Sequence, residues 1–341
     1  MSKYGQLRAP VPPNVGCVRS TTRDTAQSPE NAPFTSTDWS LLAGVSLIWG
    51  SAFLWTAVAL EGFSAETVAL LRVALGAAGL AAFPSARKRI DREDWPKLLV
   101  VAIAGNAGPA LLFAMAIETV DSAVAGMAVS ATPLASLVIW ILLKRSLPAG
   151  IQLTGLAIGF AGVTLMAAPN LVGVQANPVG IGWLGLAVLG YGITQHVIGP
   201  LQRKYGATTV IFWALLIGSV GLLPMGLAGL SDSEISASTL IAIIVLGVIA
   251  TGVARSLAAT LTGRVGPVRG SIHTYFIPVL AVVLGVALRG EHITPAELIG
   301  LPIALAGGYL VTQRSSDIRL SKRLNRWLRV LRLIPKQRTV L

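Results

Sequence analysis

Charge is scarce in this chain. Asp, Glu, Lys and Arg make up 12% of its 341 residues, against about 25% in an ordinary soluble domain. With 53% hydrophobic residues and a mean hydropathy of +0.70, that scarcity excludes a soluble domain and makes the chain an integral membrane protein. Cysteine is scarcer still. Cys17 stands alone in a polar N-terminal stretch, so no disulfide framework is possible within one chain. The three histidines, His196, His273 and His292, share no metal-ligand spacing. Fifteen acids are present, but none falls deep in an apolar run. A carboxylate proton relay, a two-carboxylate site and an Asp-rich metal site therefore have no material. There is no Cys/His pair, no Gly-rich phosphate loop, no GxSxG and no polar domain large enough for a nucleotide. Catalytic residues, metal and cofactor are all expected to be absent.

Small residues, in contrast, abound: 36 Gly and 19 Pro, with aromatics at 6%. Small residues let membrane helices approach closely. Residues 1–38 are rich in Ser, Thr, Pro and Arg and read as a disordered tail without a signal-peptide core. Ten apolar runs of bilayer-crossing length follow. The first five are 39–60, 65–84, 97–117, 123–143 and 149–168; the second five are 180–200, 208–230, 239–262, 270–288 and 295–312.

Residues 132–167 align without a gap on residues 277–312, 145 positions later. Ten of 36 positions are identical, and Pro133 falls on Pro278, Gly155 on Gly300 and Gly162 on Gly307. That register implies an internal duplication. With five spans in each copy the second is inverted, so residues 39–168 and 180–312 form two halves with a site between them near the midplane. If the N-terminus is cytoplasmic, 24 of the 27 Lys and Arg residues fall inside and only Arg289 outside, leaving Arg72 and Arg255 within spans. That bias places both termini in the cytoplasm and the 169–179 loop outside. The net charge of +12 then reads as loops and tails facing anionic lipid, not as a nucleic-acid surface. Residues 315–341 end the chain as a basic tail, with a Leu stripe at Leu320, Leu324, Leu328 and Leu331 suited to a helix on the inner leaflet.

A charge inside a span faces a cavity, a partner or the interface. Arg72 has two structural roles open, reaching toward Glu66 or bonding free carbonyls. Arg255 either extends to the inner surface or presents a guanidinium to an anionic solute. Asn106 lies mid-span in AGNAGPA, where Gly105, Gly108 and Pro109 loosen the helix. Its amide either bonds a neighbouring helix or contacts a ligand. His196 and His273 are either neutral helix-to-helix donors or ligand contacts. Trp49 is too deep to anchor at an interface and shares a face with Phe53; Tyr191 and Gln195 share a face four residues apart. The candidate solute contacts are Trp49, Phe53, Asn106, Tyr191, Gln195, Arg255 and His273. Pro133 and Pro278 are candidate paired kinks of spans four and nine.

WGSAF at 49–53, LLRVALGAAGL at 70–80 and IPVLAVVLGVALRGEHITPAELIGLPIALAGGYLV at 277–311 together resemble the EamA-type members of the drug/metabolite transporter superfamily. The resemblance runs from residue 39 to residue 313. It departs at Lys144-Arg145-Ser146, where the family usually has a glutamate. It implies an all-α fold of ten transmembrane helices in two inverted five-helix repeats, working by alternating access. It also implies transport, commonly export, of a small metabolite such as an amino acid or other carboxylate-bearing solute across the cytoplasmic membrane. A membrane enzyme acting on lipid-linked substrates and a non-transporting structural protein are the alternatives. No pattern speaks to oligomeric state.

Overall fold

A computed structural model describes residues 33–117, 120, 128–145, 148, 150–168, 177–231, 233–289 and 294–313. Residues 1–32 of the tail expected at 1–38, the tail at 315–341 and most of the 169–179 loop lie outside the described residues; Ser36–Asp38, the end of that first tail, is helical instead. So does the side chain of Phe53, whose backbone is helical.

Among the described residues the regular elements are all helical. They are α1 Ser36–Leu60, α2 Ala65–Ala81, α3 Trp95–Ala102, α4 Gly108–Ile117, α5 Thr132–Lys144, α6 Gly150–Ala167 and α7 Pro178–Tyr205, then α8 Ala207–Ala228, α9 Ala237–Ile244, α10 Ala254–Val265, α11 Pro267–Gly270, α12 His273–Arg289 and α13 Pro295–Thr312. Two π-helical segments complete longer helices. Ile103–Ala107 joins α3 to α4, and Val245–Val253 joins α9 to α10. Five helices among the described residues are long and apolar enough to cross a membrane: Arg92–Phe113, Pro178–Tyr205, Ala207–Ala228, Ala237–Val265 and Pro295–Thr312.

The first helix begins at Ser36, three residues before the apolar run. Thr35 caps it: Asp38 N–H donates to Thr35 Oγ1, while Thr35 N–H donates to Asp38 Oδ2 at 2.8 Å. This capping box satisfies two donors that a bare helix start leaves free.

Glycine sets the closest helix approaches. Helix α6 packs along α13. A Cβ on Gly155 would lie 2.8 Å from Gly307 O, and one on Gly300 would lie 2.7 Å from Gly162 O. Backbones so close gain dispersion contacts that larger side chains would prevent.

Polar ties gather at one end of the bundle. Asp38 at the start of α1 pairs with Arg264 at the end of α10. Arg203 near the end of α7 donates to Gly263 O at 3.1 Å. Lys204 beside it bridges to Asp94 at 2.7 Å and Asp91 at 2.8 Å, just before α3, and Tyr205 OH donates to Asp91 Oδ2 at 2.9 Å. The Lys204 ammonium, with Tyr205 beside it, holds the Asp91 carboxyl below the usual carboxylate range.

Candidate functional site

The two π segments are where the helices stop satisfying their own carbonyls. In the first, Gly108 N–H donates to Ile103 O, five residues back. Pro109 follows and has no N–H to give. An α-helix would aim that donor at Gly105 O, so this carbonyl is free for another partner. Arg255, the second residue of α10, takes it: Nη1 donates to Gly105 O at 2.8 Å. In the second segment Ala254 N–H turns to Ile249 O and not to Ala250 O, its partner in an α-helix. Trp49 Nε1, from the middle of α1, donates to Ala250 O at 2.7 Å. Segments of this type recur at functional sites because they aim backbone groups and side chains away from the helix axis.

Arg72, in α2, does not reach toward Glu66. Its Nε donates to Thr251 Oγ1 at 3.2 Å, and its guanidinium is within electrostatic reach of Arg255 and Tyr191. Gly76, one turn on, explains the approach: a Cβ there would lie 3.0 Å from Gly247 O. Among the described residues neither arginine has a carboxylate partner; the ion pairs all lie at the charged end. Asn106 is 2% exposed. Its Nδ2 donates to Val101 O at 2.8 Å, and its Oδ1 has no partner, leaving an acceptor for an ammonium or hydroxyl group.

The remaining candidates divide. The rings of Trp49 and His273 lie 4.9 Å apart, and His273 Nδ1 donates to Gly270 O at 2.8 Å. Tyr191 faces Phe113 at 6.3 Å between ring centroids. Gln195 faces a different helix, accepting from Thr262 Oγ1 at 2.7 Å. His196 Nδ1 donates to Gly192 O at 3.0 Å beside Trp140. The two prolines differ in position. Pro133 is the second residue of α5, where no N–H is needed, whereas Pro278 lies inside α12. In each case the carbonyl four residues before the proline accepts from a hydroxyl. Thr132 Oγ1 donates to Val129 O at 2.6 Å, and Ser130 Oγ to Thr274 O at 3.4 Å.

Sequence reasoning missed Thr251 and Thr262. Threonine in a span carries no signal of its own, because its hydroxyl bonds the preceding turn as readily as a partner. A freed carbonyl in AGNAGPA is what Gly105, Gly108 and Pro109 lead one to expect, and Gly105 O, four residues before Pro109, is the one that Arg255 takes.

The model of the EamA-like transporter family matches residues 39–168 and 178–313. A probable terminal-alkyne amino-acid exporter of Streptantibioticus cattleyicolor is 24% identical over 283 residues, covering 81% of this chain and 93% of its own. An uncharacterized transporter of Archaeoglobus fulgidus is 24% identical, covering 81% and 99%. An uncharacterized inner membrane transporter of Escherichia coli K12 is 26% identical, covering 80% and 89%. One crystal structure shares the fold at a TM-score of 0.69 and 19% identity, covering 85% of this chain and 99% of its own. Matched in both halves, the chain belongs to the EamA-like transporter family and is a multi-pass membrane transporter rather than an enzyme.

Proposed function

We propose that the chain is a ten-span secondary carrier of two inverted five-helix repeats. In this reading it exports a small carboxylate-bearing solute such as an amino acid by alternating access. The observation that carries this reading is the Arg255 guanidinium. It is partly buried, held on a first-half carbonyl, and without a carboxylate partner among the described residues. A cation held that way within a span favours an anionic group brought by the solute. Asn106 Oδ1 is an acceptor for the ammonium of an amino acid, with Trp49, Tyr191 and His273 as walls and neutral contacts. Phe53 belongs to the same proposed wall; Gln195 contributes from the α10 side. The amino-acid exporter among the relatives supports this solute class.

Three features support the inverted duplication. Adding 145 to the π segment 103–107 gives 248–252, inside the second π segment. The same shift turns the Gly155–Gly307 contact into the Gly300–Gly162 contact, the exchange a two-fold axis demands. It also turns Val129 O, four residues before Pro133, into Thr274 O, four residues before Pro278, and each accepts from a hydroxyl. The prolines are then paired hinges. The end bearing Asp38, Asp94, Lys204 and Arg264 is cytoplasmic in this reading, together with both termini, and the basic C-terminal tail meets anionic lipid.

The test is uptake into vesicles holding the purified full chain, using a panel of amino acids and simple carboxylates. Saturable counterflow of at least one is expected, with efflux from cells expressing the chain. Absence of transport for every carboxylate-bearing solute would overturn the proposal.

A further inference from the structure

Two arginines, not one, reach the ground between the π segments. Arg255 hangs on the first segment through Gly105 O, and Arg72 hangs on the second through Thr251 Oγ1. The two anchor points are near-equivalents of each other: Asn106, next to Gly105, maps onto Thr251 under the 145-residue shift. Each guanidinium carries five N–H donors in a planar fork. Arg72 uses Nε for Thr251, which leaves both Nη groups. Arg255 uses Nη1 for Gly105, which leaves Nη2 and Nε. Two like charges within reach of each other repel, and an arginine cannot relieve that by giving up its proton. Natural bundles hold such pairs with a counter-charge. Glu66, the acid on α2, is not that counter-charge, and no other carboxylate among the described residues pairs with either arginine.

Resting on the carrier reading above, we infer that Arg72 is a second anion contact in the same site. The site then takes solutes bearing two negative charges, a dicarboxylate or a phosphate monoester, in preference to singly charged ones. One anionic group lies against each guanidinium, or one doubly charged group bridges both. Planar forks suit either, because each offers parallel N–H donors to two oxygens. Thr251 positions Arg72. It is 1% exposed and holds the Nε edge, which leaves the Nη edge for the solute.

The experiment uses the purified full chain in vesicles and two matched pairs: glutamate with its isostere glutamine, and phosphoserine with serine, which lacks the phosphoryl group. Wild type is expected to prefer the doubly anionic member of at least one pair by roughly tenfold or more, the scale of one charge-assisted bond. The pair that shows the preference separates the carboxylate from the phosphate source. Arg72→Gln should collapse that ratio to within about threefold. Equal affinity within both pairs for wild type overturns the inference, as does an unchanged ratio in Arg72→Gln. If Arg72→Gln fails to fold by its thermal melt, Arg72→Lys and Thr251→Val read the same ratio, and both should lower it. The wild-type ratio stands without any variant. Should wild type carry glutamine and serine but refuse their anionic partners, this inference falls and the carrier reading survives. Should it carry no carboxylate-bearing solute of any kind, both fall.

Discussion

Arg255 Nη1 donates to Gly105 O at 2.8 Å, and Pro109, four residues after Gly105, is why that carbonyl is free. The bond ties α10 to the π segment that precedes α4. Arg255→Gln removes the charge and keeps an amide donor on a shorter side chain. Bonds to charged groups contribute about 1.5–3 kcal/mol, so uptake of a carboxylate-bearing solute should weaken roughly ten- to a hundredfold. Neutral analogues should fall less. Arg255→Lys keeps the charge without the planar fork and should recover part of the loss. Initial uptake rates across a concentration series decide it. A carboxylate KM equal to wild type in Arg255→Gln would remove Arg255 from the site.

The helices were legible because hydrocarbon leaves few options: long apolar runs must close their hydrogen bonds internally. The start of α1 was displaced by three residues because a capping box, not hydropathy, begins it. The AGNAGPA stretch pointed to a loosened helix, and a π segment is what it forms. VLGVIATGV gave a weaker warning, since it has two glycines but no proline. Arg72 shows the limit most clearly. Its neighbour in sequence is Glu66, yet its partner is Thr251, 179 residues away. Which carbonyl or hydroxyl a buried guanidinium finds depends on how two distant helices approach. Here glycines such as Gly76 set that approach.

Topology follows from where the basic residues cluster. In a Cys17→Ser background, cysteines placed at Arg89 and at Asn177 should react with an impermeant thiol reagent from opposite sides of the membrane. Arg89 is an exposed residue near the Asp91 and Asp94 end, and Asn177 caps the opposite end of α7. Labelling from the same side would reject the proposed orientation.

The glycine contacts between α6 and α13 predict a matched pair of effects. In Gly155→Ala the new methyl would meet Gly307 O and Val311 N, both at 2.8 Å. In Gly300→Ala it would meet Gly162 O at 2.7 Å. These are mostly backbone atoms, which cannot swing aside, so each change should cost about 1–3 kcal/mol. Gly182→Ala meets nothing within 4 Å and should be neutral or slightly stabilising, by up to about 1 kcal/mol from helix propensity. Thermal unfolding in detergent separates them. Equal melting temperatures for all three would mean that the two helices are not in this close register.

Acid should loosen one tie at the charged end before the membrane interior responds. Asp91 is bonded by Lys204 at 2.8 Å and by Tyr205 at 2.9 Å, and these partners hold its carboxyl below the usual range. A depressed carboxylate pKa contributes stability above the ordinary value, about 4, and loses it as pH falls through the lowered one. The tie is therefore whole at neutral pH and vanishes only in strong acid. Asp91 is 63% exposed, so solvent screens the pair and the effect is small. Asp91→Asn should lower the melting temperature slightly at neutral pH and leave it equal to wild type in strong acid, because protonation has by then done to wild type what the substitution does. The two melting curves, followed from about pH 7 down to about pH 2, should converge. Curves that stay parallel throughout would mean that the Asp91 contact contributes nothing through its charge.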